Sequence, residues 1–140
     1  MGLSPTMKVK FHSAYETYAG NEGQGLQQAG QIVEAMVKSM GAHATKAGII
    51  SEAAATGAVA DLIDALYPTP QFKDHRAALG AARDFVKEFR NAVSHPSNSA
   101  RNLAEKIRKC KAGFLDAISV AIKLRIVAQR MGYRLQIHTT

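Results

Sequence analysis

The chain is short of several things at once. Its 140 residues hold one cysteine, four prolines and no tryptophan, and aromatic residues make up only 6% of the total. With Cys110 alone, no disulfide forms within the chain, and CxxC redox and zinc-finger arrangements are excluded. A reduced, cytoplasmic setting is the expectation. No apolar run approaches the ~18 residues that a membrane span needs, and Met1–Lys10 lacks the apolar core of a secretory signal. Few aromatics means few platforms on which bases stack, so sequence-specific reading of a single strand is not supported. No cluster of Cys, His, Asp and Glu has metal-ligand spacing, so neither a metal nor another cofactor is expected.

What is present is apolar and, at one end, basic. Hydrophobic residues reach 46%, enough for one domain of this length to bury a core and too many for disorder. The formal charge of +7 is unevenly placed: residues 1–100 balance, and residues 101–140 carry all of it against only Glu105 and Asp116. A solvated helix face is the ordinary reason for such a run, and a polyanionic partner is the functional one.

The apolar spacing is helical nearly throughout. Leu26, Ala29, Ile32, Val33, Met36, Val37 and Met40 form one stripe over residues 25–40. A second helix is predicted from about Ile49 to Tyr67, with Gly41 and Gly48 punctuating the junction and Pro68-Thr69-Pro70 ending it. The third runs from Phe72 to about Ser94. After a turn at 95–99, with Ser99 as N-cap, a long helix runs from Ala100 to Met131, capped by Gly132 and open to a bend at Gly113. The alternating tail 133–137 has strand character without a pairing partner. The expected organisation is all-α, a bundle of four or five helices. Residues 1–24 are an arm or short helix, 25–132 the bundle and 133–140 a tail.

The third helix is the most informative segment. At ~100° per residue, Leu79, Ala82, Val86, Phe89 and Val93 share one stripe, and Arg76, Arg83 and Arg90 line its flank every seventh residue. Such a ladder is either a rim whose stems cover apolar surface or the wall of a cleft for a second subunit or a phosphate backbone. The expectation is that this seam is buried in a twofold interface. The helix ends on Arg90-Asn91-Ala92-Val93-Ser94-His95. An Arg followed by His at this distance occurs by chance about once in a chain of this composition. Requiring Asn after the Arg at fixed spacing reduces that to roughly one in a hundred.

This segment resembles the mark of the HEPN superfamily, all-helical domains with an R-x4–6-H motif that often opens Arg-Asn. The likeness extends over about residues 25–131, with a long helix before the motif and a long basic one after it, and is nearest to abortive-infection and other defence members. It implies a twofold homodimer that cuts RNA without metal, two motifs facing one cleft, in antiviral defence or as a growth-arrest toxin. An antitoxin or other regulatory protein is a further implied partner. Inactive members serve as protein- or nucleotide-binding scaffolds, which is the alternative function. Pro96 and Ser97 stand where many members have Gly and Tyr, which argues against the subgroup silenced by modification of that Tyr.

The chemistry stands without the family. Internal cleavage of RNA takes a proton from the 2′-hydroxyl and places charge on phosphate. Histidine exchanges protons near neutrality, and arginine presents a permanent planar fork to phosphate oxygens. Arg90 and His95 are therefore the candidate catalytic pair, with Asn91 and Ser94 as hydrogen-bonding neighbours. Lys106, Arg108, Lys109, Lys111 and Arg83 are candidates for the RNA backbone. In an unbroken helix Arg90 and His95 point ~140° apart. Either the helix ends at Ser94, which Pro96 favours, or the pair forms across a twofold axis. A basic DNA-binding bundle is a weaker reading, since no helix-turn-helix spacing is evident. His12, His43, His75 and His138 are scattered and read as surface or packing residues.

Overall fold

A computed structural model describes residues 5–20, 22–94 and 100–135, with side chains described for residues 5, 7–17, 24–88 and 112–135. Every regular element among them is helical: α1 (Pro5–Gly20), α2 (Glu22–Lys46), α3 (Glu52–Ala55), α4 (Val59–Leu66), α5 (Arg76–Ser94) and α6 (Ala100–Met131), with a 3-10 turn over Pro70–His75. None of the described helices is long and apolar enough to cross a membrane.

Helix α2 is the axis of the bundle and touches α1, α3, α4, α5 and α6. Its composition explains why one helix serves so many neighbours. Leu26, Val33, Met36, Val37 and Met40 are at most 1% exposed, and the small residues between them, Gly25, Ala29, Gly30, Gly41 and Ala44, are buried too, so backbones approach from several sides. Residue 41 does not end the helix, as its glycine led us to expect. A Cβ there would stand 2.7 Å from Leu62 Cδ2. The missing side chain seats α4. The helix ends instead at Gly48, whose φ of +76° suits glycine. Ile49 N–H donates to Ala44 O at 2.9 Å and Gly48 N–H to Thr45 O at 3.0 Å, which is a Schellman closure. Gly132 closes α6 in the same way, with φ +74° and Tyr133 N–H donating to Ala128 O at 2.8 Å. Gly113 does not divide α6: Leu26 packs there, 3.0 Å from where a Cβ would be.

The helix predicted over 49–67 is two. Ser51 caps α3, its Oγ accepting from Ala54 N–H at 3.2 Å, and Thr56 ends it by donating its hydroxyl to the carbonyls of Glu52 and Ala53. Helix α4 then restarts at Val59 and buries Val59, Leu62, Ile63 and Leu66. The third predicted helix also begins later than expected. Pro70 opens a 3-10 turn that inserts Phe72, fully buried, and the α-helix starts at Arg76.

Residues 5–20 belong to the bundle, with Met7, Phe11 and Ala14 at helical spacing in the common core. Residues 133–135 form no strand, and Tyr133 and Leu135 pack on that core. The ring of Tyr133 stacks on His43 at 4.9 Å, and His43 Nε2 donates to Arg134 O at 2.7 Å, joining the end of α2 to the segment after α6.

The α5 stripe is not a subunit interface in its described part. Leu79, Ala82 and Val86 are 0–1% exposed within the single chain, because α2, α4 and α6 cover them. Phe85, outside the predicted stripe, joins them in the core.

Candidate functional site

Helices α5 and α6 carry the candidate residues and pack against each other. Ala81 and Glu88 of α5 face the same groove as Lys123 and Asp116 of α6, and with a five-residue connection between the helices they run antiparallel. Arg90, Asn91 and Ser94 fall in the last two turns of α5, and Lys106, Arg108, Lys109 and Lys111 in the N-terminal half of α6. The side chains of these seven lie outside the described ones, and His95 lies outside the described residues.

Arg83 has a partner inside the chain. Its guanidinium grips the Asp64 carboxylate with both teeth of the fork, Nε on Oδ1 and Nη2 on Oδ2 at 3.0 Å. The hydrogen bond from Arg83 holds the Asp64 carboxyl below its ordinary value of 3.8 against a small opposing effect of burial, and Asp64 raises Arg83 in turn. Arg76 serves the same seam, donating Nε–H to Tyr67 O at 3.1 Å with its guanidinium 5.6 Å from the centre of the Tyr67 ring. Two of the three heptad-spaced arginines thus fasten α5 to the α4 segment, as rim residues do. For Arg83 to reach RNA, it would have to release Asp64.

The Asp64–Arg83 pair has a pH signature. A carboxyl lowered by folding adds stability above its unfolded value and loses it as pH falls below about 4. Both side chains are close to half exposed, so the effect is small and screened by salt. Asp64→Asn should lower the thermal midpoint slightly at pH 7 and by less at pH 2, because the contribution fades as pH falls through the lowered folded-state value. Equal losses at both would mean that packing, not charge, is what the substitution removes.

The packing of α5 on α6 also assembles something that no spacing foretold. A groove of about 250 Å³ has Ala81, Phe85 and Val120 on its floor and Asp84, Glu88, Asp116 and Lys123 at its rim. Asp84 and Glu88 are i, i+4 on one helix, a visible signal, but Asp116 joins them only through the fold. Three carboxylates against one lysine repel phosphate, so this stretch is no seat for a polyanion.

The remaining described histidines have structural surroundings. His12 pairs with Glu16 at 3.0 Å on the exposed side of α1, and His75 meets the edge of Phe72. The Tyr133 hydroxyl is buried without a hydrogen-bond partner among the described residues, and burial raises its pKa. No group of three or more His, Cys, Asp and Glu among the described residues is placed to hold a metal.

No protein-family model, curated protein or solved structure matches the chain.

Proposed function

We propose that the protein is a metal-independent endoribonuclease of HEPN type, acting as a homodimer in defence or growth arrest. Arg90 and His95 are its catalytic pair. The observation that carries this reading is the Arg90-Asn91-x3-His95 motif at the end of an amphipathic helix, followed by the helix that begins the basic 101–140 segment. His95 takes the proton of the 2′-hydroxyl and returns one to the leaving 5′-oxygen. Arg90 holds the phosphate oxygens on which charge gathers. Asn91 and Ser94 orient the imidazole or the phosphate. Lys106, Arg108, Lys109 and Lys111 follow the RNA backbone, away from the acidic groove. The test is RNA incubated in EDTA with wild type, Arg90→Ala and His95→Ala: wild type cleaves and both variants do not. The alternative is a catalytically silent helical dimer that binds a protein or nucleotide. Its protein-binding form gains weight from the apolar-floored, acid-rimmed groove between α5 and α6, which suits a basic peptide and not a nucleotide's phosphates, and the alternative is favoured if purified wild type leaves RNA intact.

Binding has its own signature. Each phosphate contact on single-stranded RNA contributes a slope of roughly −0.7 to log K against log salt, so four lysines and arginines predict about −3. Reversing the charge at Lys106, Arg108, Lys109 and Lys111 together should abolish measurable binding by fluorescence anisotropy. Binding that ignores both salt and reversal returns this face to solvated surface.

A further inference from the structure

The groove between α5 and α6 runs against the charge of the molecule. The chain carries +7 overall, yet the rim holds Asp84, Glu88 and Asp116 against Lys123. All four are exposed, and no described residue forms a salt bridge with any of them. Arg83, beside Asp84 in the chain, is already committed: it feels Asp84 and Asp61 through space, but its fork is closed on Asp64. Exposed carboxylates alone are a solvated face. The floor of Ala81, Phe85 and Val120 makes these different, because one depression offers apolar surface and negative charge together. At about 250 Å³ it is smaller than the ~300–1,000 Å³ of sites that enclose a whole small molecule. It has room for a side chain or two from a polypeptide lying across it.

The groove also has a direction. Seven residues separate Ala81 from Glu88, and seven separate Asp116 from Lys123. Antiparallel packing therefore sets Glu88 across from Asp116 at one end and Lys123 across from Ala81 at the other. Asp84 stands one turn from Glu88 on the same helix.

We propose that this groove is the docking site for a basic segment of a partner protein. An apolar side chain of that segment sits over Phe85 and Val120, between lysines or arginines that meet Asp84, Glu88 and Asp116. The inference makes the protein-binding alternative specific and rests on no part of the nuclease reading. Charge complementarity selects the occupant. Phosphates and acidic segments meet three carboxylates, whereas an arginine fork grips a carboxylate with two hydrogen bonds. Lys123 orients the segment, its cations going to the Glu88–Asp116 end and any acidic group to the other. The basic part of α6 does not cancel this attraction. Lys106, Arg108, Lys109 and Lys111 lie about 8–15 Å along the helix from Asp116, a Debye length of ~8 Å or more at physiological salt. Ion pairs in direct contact with the rim fall well inside that length. A chain of net +7 has no general affinity for polycations, so binding of one reports the groove.

Exposed ion pairs contribute little each, so a transient complex is expected, with a dissociation constant on the order of 10–100 µM. Fluorescence anisotropy tests it, at physiological salt and without RNA, with a labelled peptide carrying a central leucine between paired arginines. Wild type should bind this peptide, bind the version with serine for leucine several-fold more weakly, and ignore the version with glutamates for arginines. Asp84→Lys combined with Glu88→Lys should weaken binding at least tenfold with unchanged helical circular dichroism. Lys123→Glu should tighten it several-fold, a gain that damage to the fold cannot imitate. No binding at 500 µM wild type, binding indifferent to the reversal of residues 84 and 88, or a Lys123→Glu protein that binds no better would each overturn the inference. A wild type that sediments as a dimer and becomes monomeric on that reversal would give the groove to a second copy, and overturn it as well. Cleavage assayed on the same proteins keeps the readings apart. A wild type that binds the peptide and leaves RNA intact upholds the groove and removes the RNase, and one that cuts RNA and ignores the peptide does the reverse.

Discussion

Replacing His95 with alanine should slow RNA cleavage by a factor on the order of 10²–10⁴ and leave the fold intact. That range is what a positioned acid–base group contributes when it carries a proton in the transition state. Arg90→Lys should be nearly as damaging, because an ammonium is a point charge and cannot grip two phosphate oxygens in one plane. The fold should survive both changes, since neither residue belongs to the apolar stripe of α5 at Leu79, Ala82 and Val86. Thermal melts alongside single-turnover cleavage separate the outcomes. Variants that melt as wild type and do not cut place the pair in the chemistry. A His95→Ala protein that cuts at the wild-type rate removes His95 from the mechanism, and the scaffold reading then holds.

The largest expected effect on stability is at Phe72. Its side chain is fully buried, with the ring centre 6.4 Å from those of both His75 and Tyr133. It therefore ties the 3-10 turn to the segment that follows α6. Truncation to alanine should cost about 3–5 kcal/mol, the usual range for emptying an aromatic site in a packed core. Against a total stability of about 5–15 kcal/mol for a single domain, that is a large fraction. Urea unfolding should show a much lower midpoint with an unchanged slope. A loss under about 1 kcal/mol would mean that the turn and the tail are not part of the core.

The parts of this fold that were readable in the sequence are those governed by neighbours along the chain. The stripe from Leu26 to Met40 declares α2, and Gly132 after the last apolar residue of α6 declares its cap, because helix periodicity and capping are local. Gly41 could not be read in the same way. Whether a glycine ends a helix or receives another helix depends on Leu62, 21 residues further on. Gly57 sat within an apolar pattern that looked continuous, and the break there reflects the seating of α4 as a separate helix. The arginines spaced by seven were ambiguous for a similar reason. Spacing places Arg76 and Arg83 on one flank, but their partners, Tyr67 and Asp64, come from the preceding segment. His43 donating to the carbonyl of Arg134 spans 91 residues, which no local pattern announces.

The candidate site divides along the same line. The Arg90 and His95 reading rests on residue types and spacing within one short stretch of chain, and His95 lies outside the described residues. The acid-rimmed groove was not legible in that way, since Asp84 and Glu88 meet Asp116 only where α5 lies on α6. A 32-residue helix with apolar residues on two sides does not reveal which side the core takes until α2 and α5 are in place.

On the proposed mechanism, Arg90 and His95 cut RNA through the strand's own 2′-hydroxyl and without a metal. One measurement tests it most directly: cleavage in excess EDTA of two matched RNAs, one carrying a single 2′-deoxyribose at the cut position, with the 3′ ends of the products identified by mass. The expected result is undiminished cutting of the all-ribose strand, 2′,3′-cyclic phosphate ends and an uncut deoxy position. Cleavage that stops with EDTA, or that proceeds through the deoxy position, would contradict it.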